Sequence, residues 1–397
     1  MRTTVSGDAA AGLEAFLAER TEVNRRFFGA EAERLARLCH LMAERFARGG
    51  RLIAFGRSPA ARSDARHIAV EFVHPVIVGK RALPALACTG DGGDLGLQAR
   101  LLTRPDDIAI AFGADDDGGE AAGALAVARA RGCLTVAFAR AGAEWELMPG
   151  AGDPGIEQEL IETLYHVLWE LVHVFFEHRG LLEGRSSRPR HHAGASSFLY
   201  PFLDEGEDNL PCVLDDVAQS VLMKAHEIGE LRAQTLNENA AVLSAAAASL
   251  RRGFAQGGLL LALGNGGSAT DAMDVVADFR AAGRPAIDLT EDPAILTAIA
   301  NDIGPEAIFS RQVIAYGHAG DALLTLSTSG NSGNVIEALR EGRRRGLETI
   351  ALVGYDGGRI AAEELADQIV VTRSEHIPRI QEAQASAYHV LKELVCR

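Results

Sequence analysis

A chain of 397 residues, 47% hydrophobic and 23% charged, has the composition of an ordinary soluble protein with two or three domains. Its formal net charge of −15 argues against a nucleic-acid partner, whose binding would depend on neutralising phosphates, but leaves room for a small anion held by a locally positive loop. No apolar run reaches membrane length, so no membrane partner is expected, and the five scattered cysteines form no CxxC pair and suit a reducing compartment.

The first twenty residues lack the apolar core of a signal peptide, so a cytoplasmic protein is expected. A long helical pattern runs from about residue 11 to 47. A short apolar strand follows in "RGGRLIAFG" (48–56), and then "GRSPAARSD" (56–64) leads into a helix carrying His67 and Glu71 at i and i+4, on one face. "DDIAIAFG" (106–113) and "ARARGCLTVAFA" (128–139) read as further strand-bearing segments. The acidic run Asp115, Asp116 and Asp117 lies between them and would repel a phosphate unless Arg57 and Arg62 compensate. A closing helix, "QELIETLYHVLWELV" (158–172), carries Gln158 and His166. His74 and His173 read as structural. Residues 180–213 read as a linker rich in Gly, Ser, Pro and charge, with His191 and His192 as solvated residues.

The second half repeats this order. A helical pattern spans about 214–254. "QGGLLLALG" (256–264), "GDALLTLS" (320–327), "GRRRGLETIALV" (342–353) and "QEAQASAYHVLKELV" (381–395) match the four segments just named, at similar spacing. Four matches in one order indicate a tandem duplication, with halves at 1–179 and 214–397. Strands alternating with helices predict an α/β fold in each half, a parallel sheet flanked by helices.

Only the second half has strand–loop–helix turns built for an anion. Asn265, Gly266, Gly267 and Ser268 join a strand to a helix N-terminus, whose free N–H groups and dipole favour negative charge. The loop Ser327-Thr328-Ser329-Gly330-Asn331-Ser332 offers four hydroxyls before another helix. It contains no lysine and lacks the GxxxxGK[ST] order, so a nucleotide cofactor is not expected. A neutral cradle of this kind suits a sugar phosphate.

These stretches carry a resemblance. "GNGGSATDAM", "LTEDPAILTAIANDIGPEAIFSRQV", "STSGNSGNVIEAL", "GYDGG" and "RIQEAQASAYHVLKEL" resemble the SIS (sugar isomerase) domain, and within it the phosphoheptose isomerases, over residues 214–397. The first half is similar more weakly, over about residues 10–178. The resemblance implies two tandem SIS domains, each flavodoxin-like and doubly wound, and an aldose–ketose isomerase acting on sedoheptulose 7-phosphate. It makes Ser268, Ser327, Thr328, Ser329 and Ser332 phosphate contacts and adds Asp302 and Gln381 to the substrate site. The family's His-x-x-x-Glu and Gln-x7-His pairs bind zinc in some members, and the Glu and the His act as acid and base. Here the second half keeps Gln381 and His389 but has Asp274 and Asp278 for the first pair. It also has Ala282 where the family tends to have Arg, and Pro378 where an acid is frequent. The first half keeps all four types, as His67, Glu71, Gln158 and His166, so zinc and the acid/base roles of Glu71 and His166 are implied there. Complementary losses leave open whether the chemistry belongs to Asp278 and His389, to the first half, or to a shared site. A homodimer forming a pseudo-tetramer of SIS domains is the implied assembly. A non-catalytic sugar-phosphate-binding regulator is the alternative, and an amidotransferase-type isomerase half matches the serine loop less well.

Overall fold

A computed structural model describes residues 7–76, 80–90, 93–113, 118–177, 182 and 209–397. The acidic run at 115–117, His191 and His192, and most of the expected linker lie outside the described residues. The chain divides into two compact units, residues 22–227 and residues 1–21 with 228–397, so the division falls inside two long helices.

In chain order the first unit contains α1 (Gly7–Ala47) from residue 22 onward, β1 (Leu52–Phe55), α2 (Pro59–Val73), β2 (Ala85–Cys88), α3 (Leu95–Leu102), β3 (Ile108–Ala111), α4 (Glu120–Ala130), β4 (Leu134–Ala137), β5 (Trp145–Glu146) and α5 (Pro154–Glu177). All its strand pairs are parallel, in the order β2-β1-β3-β4-β5. Period-two alternation sorts the buried side chains between two faces. Leu52, Ala54, Ile108, Ile110, Leu134 and Val136 join a core with α1, α2 and α5. Ile53, Phe55, Ala109, Ala111 and Ala137 join the opposite core with α3 and α4.

The chain continues with α6 (Leu210–Glu238), α7 (Ala240–Ala255), β6 (Leu260–Leu263), α8 (Gly267–Ala281), β7 (Ala286–Asp288), α9 (Pro293–Asp302), α10 (Ser310–Tyr316), β8 (Ala322–Ser327), α11 (Gly333–Arg344), β9 (Glu348–Gly354), α12 (Gly358–Ala362), β10 (Gln368–Thr372) and α13 (Ile377–Cys396). The parallel sheet order is β10-β9-β8-β6-β7, which is the same topology as the first unit when each is counted from its own first strand. The duplication read from four segments is therefore a duplication of fold. Val213, Val217, Val221 and Ala225 at the start of α6 belong to the first unit's core, and Leu17 of α1 belongs to the second's.

One helical expectation changes. The pattern over 214–254 predicts one helix, and the structure breaks it at Asn239. The Asn239 amide accepts from Val371 N at 3.0 Å and donates to Val371 O at 2.9 Å. Val371 lies on β10, an edge strand, so one side chain supplies both hydrogen bonds that a neighbouring strand would have made. Asparagine competes with helix hydrogen bonding in this way, and the apolar pattern carries no trace of it.

Candidate active site and a buried donor cluster

In the second unit the order of strand addition reverses between β6 and β8, which are parallel hydrogen-bonded neighbours. From β6 the chain passes to α8, whose Ala272, Val275 and Val276 pack on one face of the sheet. From β8 it passes to α11, whose Val335 and Ile336 pack on the other. The carboxyl ends of two such strands form the crevice where ligands bind in doubly wound folds. Both sequence-predicted loops sit there.

Their backbone geometry explains the glycines. A Cβ on Gly264 would run into the Ser268 carbonyl, because the turn folds back onto the first turn of α8. Gly266 has φ 58° and ψ −126° and serves as the α8 N-cap without a side-chain cap. The serine loop is compact: Ser327 Oγ accepts from Gly330 N at 3.2 Å and stands 3.4 Å from Ser332 Oγ. Ser329 Oγ accepts from Asn331 N at 3.2 Å. Ser332 is the α11 N-cap, yet its hydroxyl makes no cap hydrogen bond. Asn265 and Asn334 exchange amide hydrogen bonds of 2.9 and 3.0 Å, tying the glycine turn to the start of α11.

The stretch "GYDGG" also gains a role. A Cβ on Gly330 would overlap the Gly357 carbonyl, and one on Gly358 would overlap the Ser329 carbonyl. Arg359 N donates to Asn331 Oδ1 and Ile360 N to Gly330 O, both at 3.0 Å. This turn is the floor on which the serine loop rests. The Glu306 carboxylate, which the sequence reading did not single out, lies against the backbone of Gly333 at the start of α11.

Of the second-half acid/base candidates, two come together. His389 Nε2 on α13 lies 3.6 Å from Asp278 Oδ2 on α8, with His389 buried and Asp278 one-third exposed. Asp274 and Gln381 are buried on the same two helices. Asp302 is exposed at the end of α9, and its described hydrogen bond is to the neighbouring Asn301 at 2.7 Å.

The first unit has a different arrangement. At the corresponding turn Ser58 Oγ accepts from Ala61 N at 3.4 Å and Pro59 starts α2, so that helix end is closed by its own chain. Glu120 occupies the first turn of α4, with Arg57 at 3.8 Å. We expect Ser58→Ala to lower stability by about 1 kcal/mol. A fall in the denaturant midpoint would show it, and an unchanged midpoint would remove the cap from the argument.

His67 and His166 meet in this unit with their Nε2 atoms 3.4 Å apart, and Glu71 Oε1 lies 3.8 Å from His67 Nε2. Gln158 donates to Asp64 Oδ1 at 3.4 Å. Burial, reinforced by His166, pushes the His67 imidazole well below its usual range. Burial pushes Glu71 up to about 7, with His166 opposing and Glu170 adding to the rise. Burial also raises Asp64, aided by the charge of Glu162 and opposed by the Gln158 hydrogen bond.

Glu162 and Tyr165 were missed by sequence reading. The signal was available: Glu162 is four residues from both Gln158 and His166, so all three share a helix face. Aligning the halves hides it, because the counterpart of Glu162 is Ala385.

A family model described as the SIS domain matches residues 225–354, which hold both loops of the cradle. A phosphoheptose isomerase of Thermodesulfovibrio yellowstonii is 39% identical over 181 residues, covering 44% of this chain and 89% of that protein. The chain belongs to the SIS-domain family. A phosphoheptose isomerase of Pelobacter propionicus is 46% identical over 155 residues, or 38% of this chain and 81% of the relative. Over the whole SIS pair the likeness is one of fold alone. The C-terminal domain of glucosamine-fructose-6-phosphate aminotransferase from Francisella tularensis superposes with a TM-score of 0.60 at 10% identity, covering 96% of this chain and 94% of that one. Among the described residues no helix is long and apolar enough to cross a membrane.

Proposed function

We propose that this SIS protein is an aldose–ketose isomerase of a sugar phosphate, with a seven-carbon ketose phosphate such as sedoheptulose 7-phosphate as the substrate its second half fits best. The observation that carries this reading is the pair of strand ends at the β6/β8 reversal. Each leads through a glycine- or hydroxyl-rich turn into a helix N-terminus without a side-chain cap, with Asp278 and His389 in the same unit. Phosphate oxygens accept from the backbone N–H groups and from Ser268, Ser327, Thr328, Ser329 and Ser332. The sugar's carbonyl end is then presented to the carboxylate and imidazole.

Isomerisation removes the proton from the hydroxyl-bearing carbon beside the carbonyl, passes through an enediol, and returns a proton to the neighbouring carbon. A proton also moves between the two oxygens. Asp278 is the group we assign to the carbon-bound proton and His389 to the oxygen's proton. The zinc implied by the family finds its nitrogen and carboxylate donors in the first half, at His67, His166 and Glu71. Bound there, such an ion supplies Lewis acidity or structural cross-linking. In the second half Asp274 replaces an imidazole, and among the described residues no three donors there converge. The proton transfers are therefore assigned to the side chains. Assembly as a homodimer with four SIS units goes with this reading, and light scattering at twice the chain mass tests it.

The second reading, a regulator that binds a sugar phosphate without turnover, is favoured by the two aspartates at 274 and 278. Purified protein incubated with sedoheptulose 7-phosphate, with added zinc and after chelation, separates the two. Product formation supports the isomerase. Saturable binding without product selects the regulator, and neither binding nor product overturns both.

A further inference from the structure

The Glu306 carboxylate has no part in the isomerase reading, and it lies at the phosphate end of the cradle. Gly304, at φ 130° and ψ 158°, turns the chain after α9 in a conformation open to glycine, and a single 3₁₀ turn, Pro305–Ala307, follows. From that turn Glu306 reaches α11, where its carboxylate fills the space that a Cβ at 333 would take. Gly333 is the first residue of α11, and Ser332 before it makes no side-chain cap hydrogen bond. The helix start assigned to the phosphate therefore already faces an anion, placed where the helix dipole favours one. The first half puts a carboxylate at the same point by another route. α4 follows β3 as α11 follows β8, and its first residue is Glu120 where α11 has Gly333. Glu120 is part of its helix, with Arg57 at 3.8 Å. Glu306 comes from outside its helix, on an exposed side chain that rotation about its own bonds withdraws.

We infer that Glu306 is a resident anion of the cradle, which an incoming phosphate must displace, and that it thereby sets how tightly the second half binds phosphate esters. The inference rests on the cradle reading and not on turnover. In the empty cradle the carboxylate is stabilised by the positive end of α11. A phosphate ester carries a charge of about −1.5 to −2 near neutral pH, needs the same helix start, and repels the carboxylate. Binding is then an exchange of one anion for another, and it is weaker than the backbone N–H groups and hydroxyls alone would make it. Substrate and product of an isomerase carry the same phosphate, so tighter phosphate binding would lower KM without raising kcat, and a carboxylate that returns to the helix start favours release.

The test is calorimetric titration of the full chain with inorganic phosphate and with sedoheptulose 7-phosphate. Glu306→Gln and Glu306→Ala are each expected to bind both about 3–10-fold more tightly than the wild type. Alanine cannot donate a hydrogen bond, so agreement between the two variants assigns the gain to the lost charge. The ratio to the wild type is expected to shrink at roughly 1 M salt, where exposed charges are screened over about 3 Å. Glu120→Gln, in the other half, is expected to bind as the wild type does. Unchanged or weaker binding in both Glu306 variants overturns the inference and leaves the cradle standing. A gain in E306Q alone is a new hydrogen bond, and a gain that ignores salt or appears equally in E120Q is not a local charge effect, so each of these overturns it too. Absence of phosphate binding in the wild type and in every variant overturns the inference together with the cradle reading.

Discussion

Replacing His389 with alanine is expected to lower sugar-phosphate turnover by roughly 10²–10⁴-fold, with little change in KM. The imidazole is buried on α13 and faces the Asp278 carboxylate at 3.6 Å, so its position is set by helix packing. The phosphate cradle lies on separate loops after β6 and β8 and remains intact in H389A. Loss confined to kcat is the mark of a group acting in the transition state, whereas a rise in KM alone would make His389 a binding residue. Asp278→Asn should lose activity in the same way, because it keeps the shape and removes the base. Initial rates at saturating substrate decide, and wild-type turnover in either variant would end the assignment.

The second large effect is expected at Gly330. Its φ of 62° is a left-handed conformation that costs an L-residue about 1–2 kcal/mol. A Cβ there would also overlap the Gly357 carbonyl, a backbone atom that cannot swing aside. Gly330→Ala must therefore lift the serine loop from its floor and displace Ser329 and Ser332. Misplacement of about 1 Å costs on the order of a hundredfold, so sugar-phosphate affinity should fall by about that factor in titration calorimetry, together with a lower melting temperature. Gly320→Ala is the control. Its φ is 95°, nothing lies within 4 Å of an added Cβ, and it sits before β8, at the opposite end of that strand from the cradle. It should lose stability while binding normally. Equal binding by G330A and the wild type would show that the loop does not hold the ligand.

Three central strands of each sheet were readable as short apolar runs, because residues such as Leu260 to Leu263 are buried on both faces. The edge strands were not singled out. Trp145–Glu146 has two residues and Ala286–Asp288 three, too few for a pattern to emerge from composition. The two loops of the cradle were legible because glycine and serine at strand ends have few other uses. Their support was not: nothing local to "GYDGG" says that it lies beneath a loop some twenty-five residues earlier, and that contact exists only once β8 and β9 pair.

The sequence by itself determined the duplication, the α/β class, the family and the chemical type of the phosphate loops, since each depends on periodicity or on residue types within one short segment. Only the tertiary structure decided that Asp278 meets His389, that Ser58 closes the first half's helix end, and that Glu162 lies with His67 and His166. Those facts depend on how α8 packs on α13 and α2 on α5. Such packing fixes distances between atoms on different helices, and a one-dimensional pattern carries no distance between them.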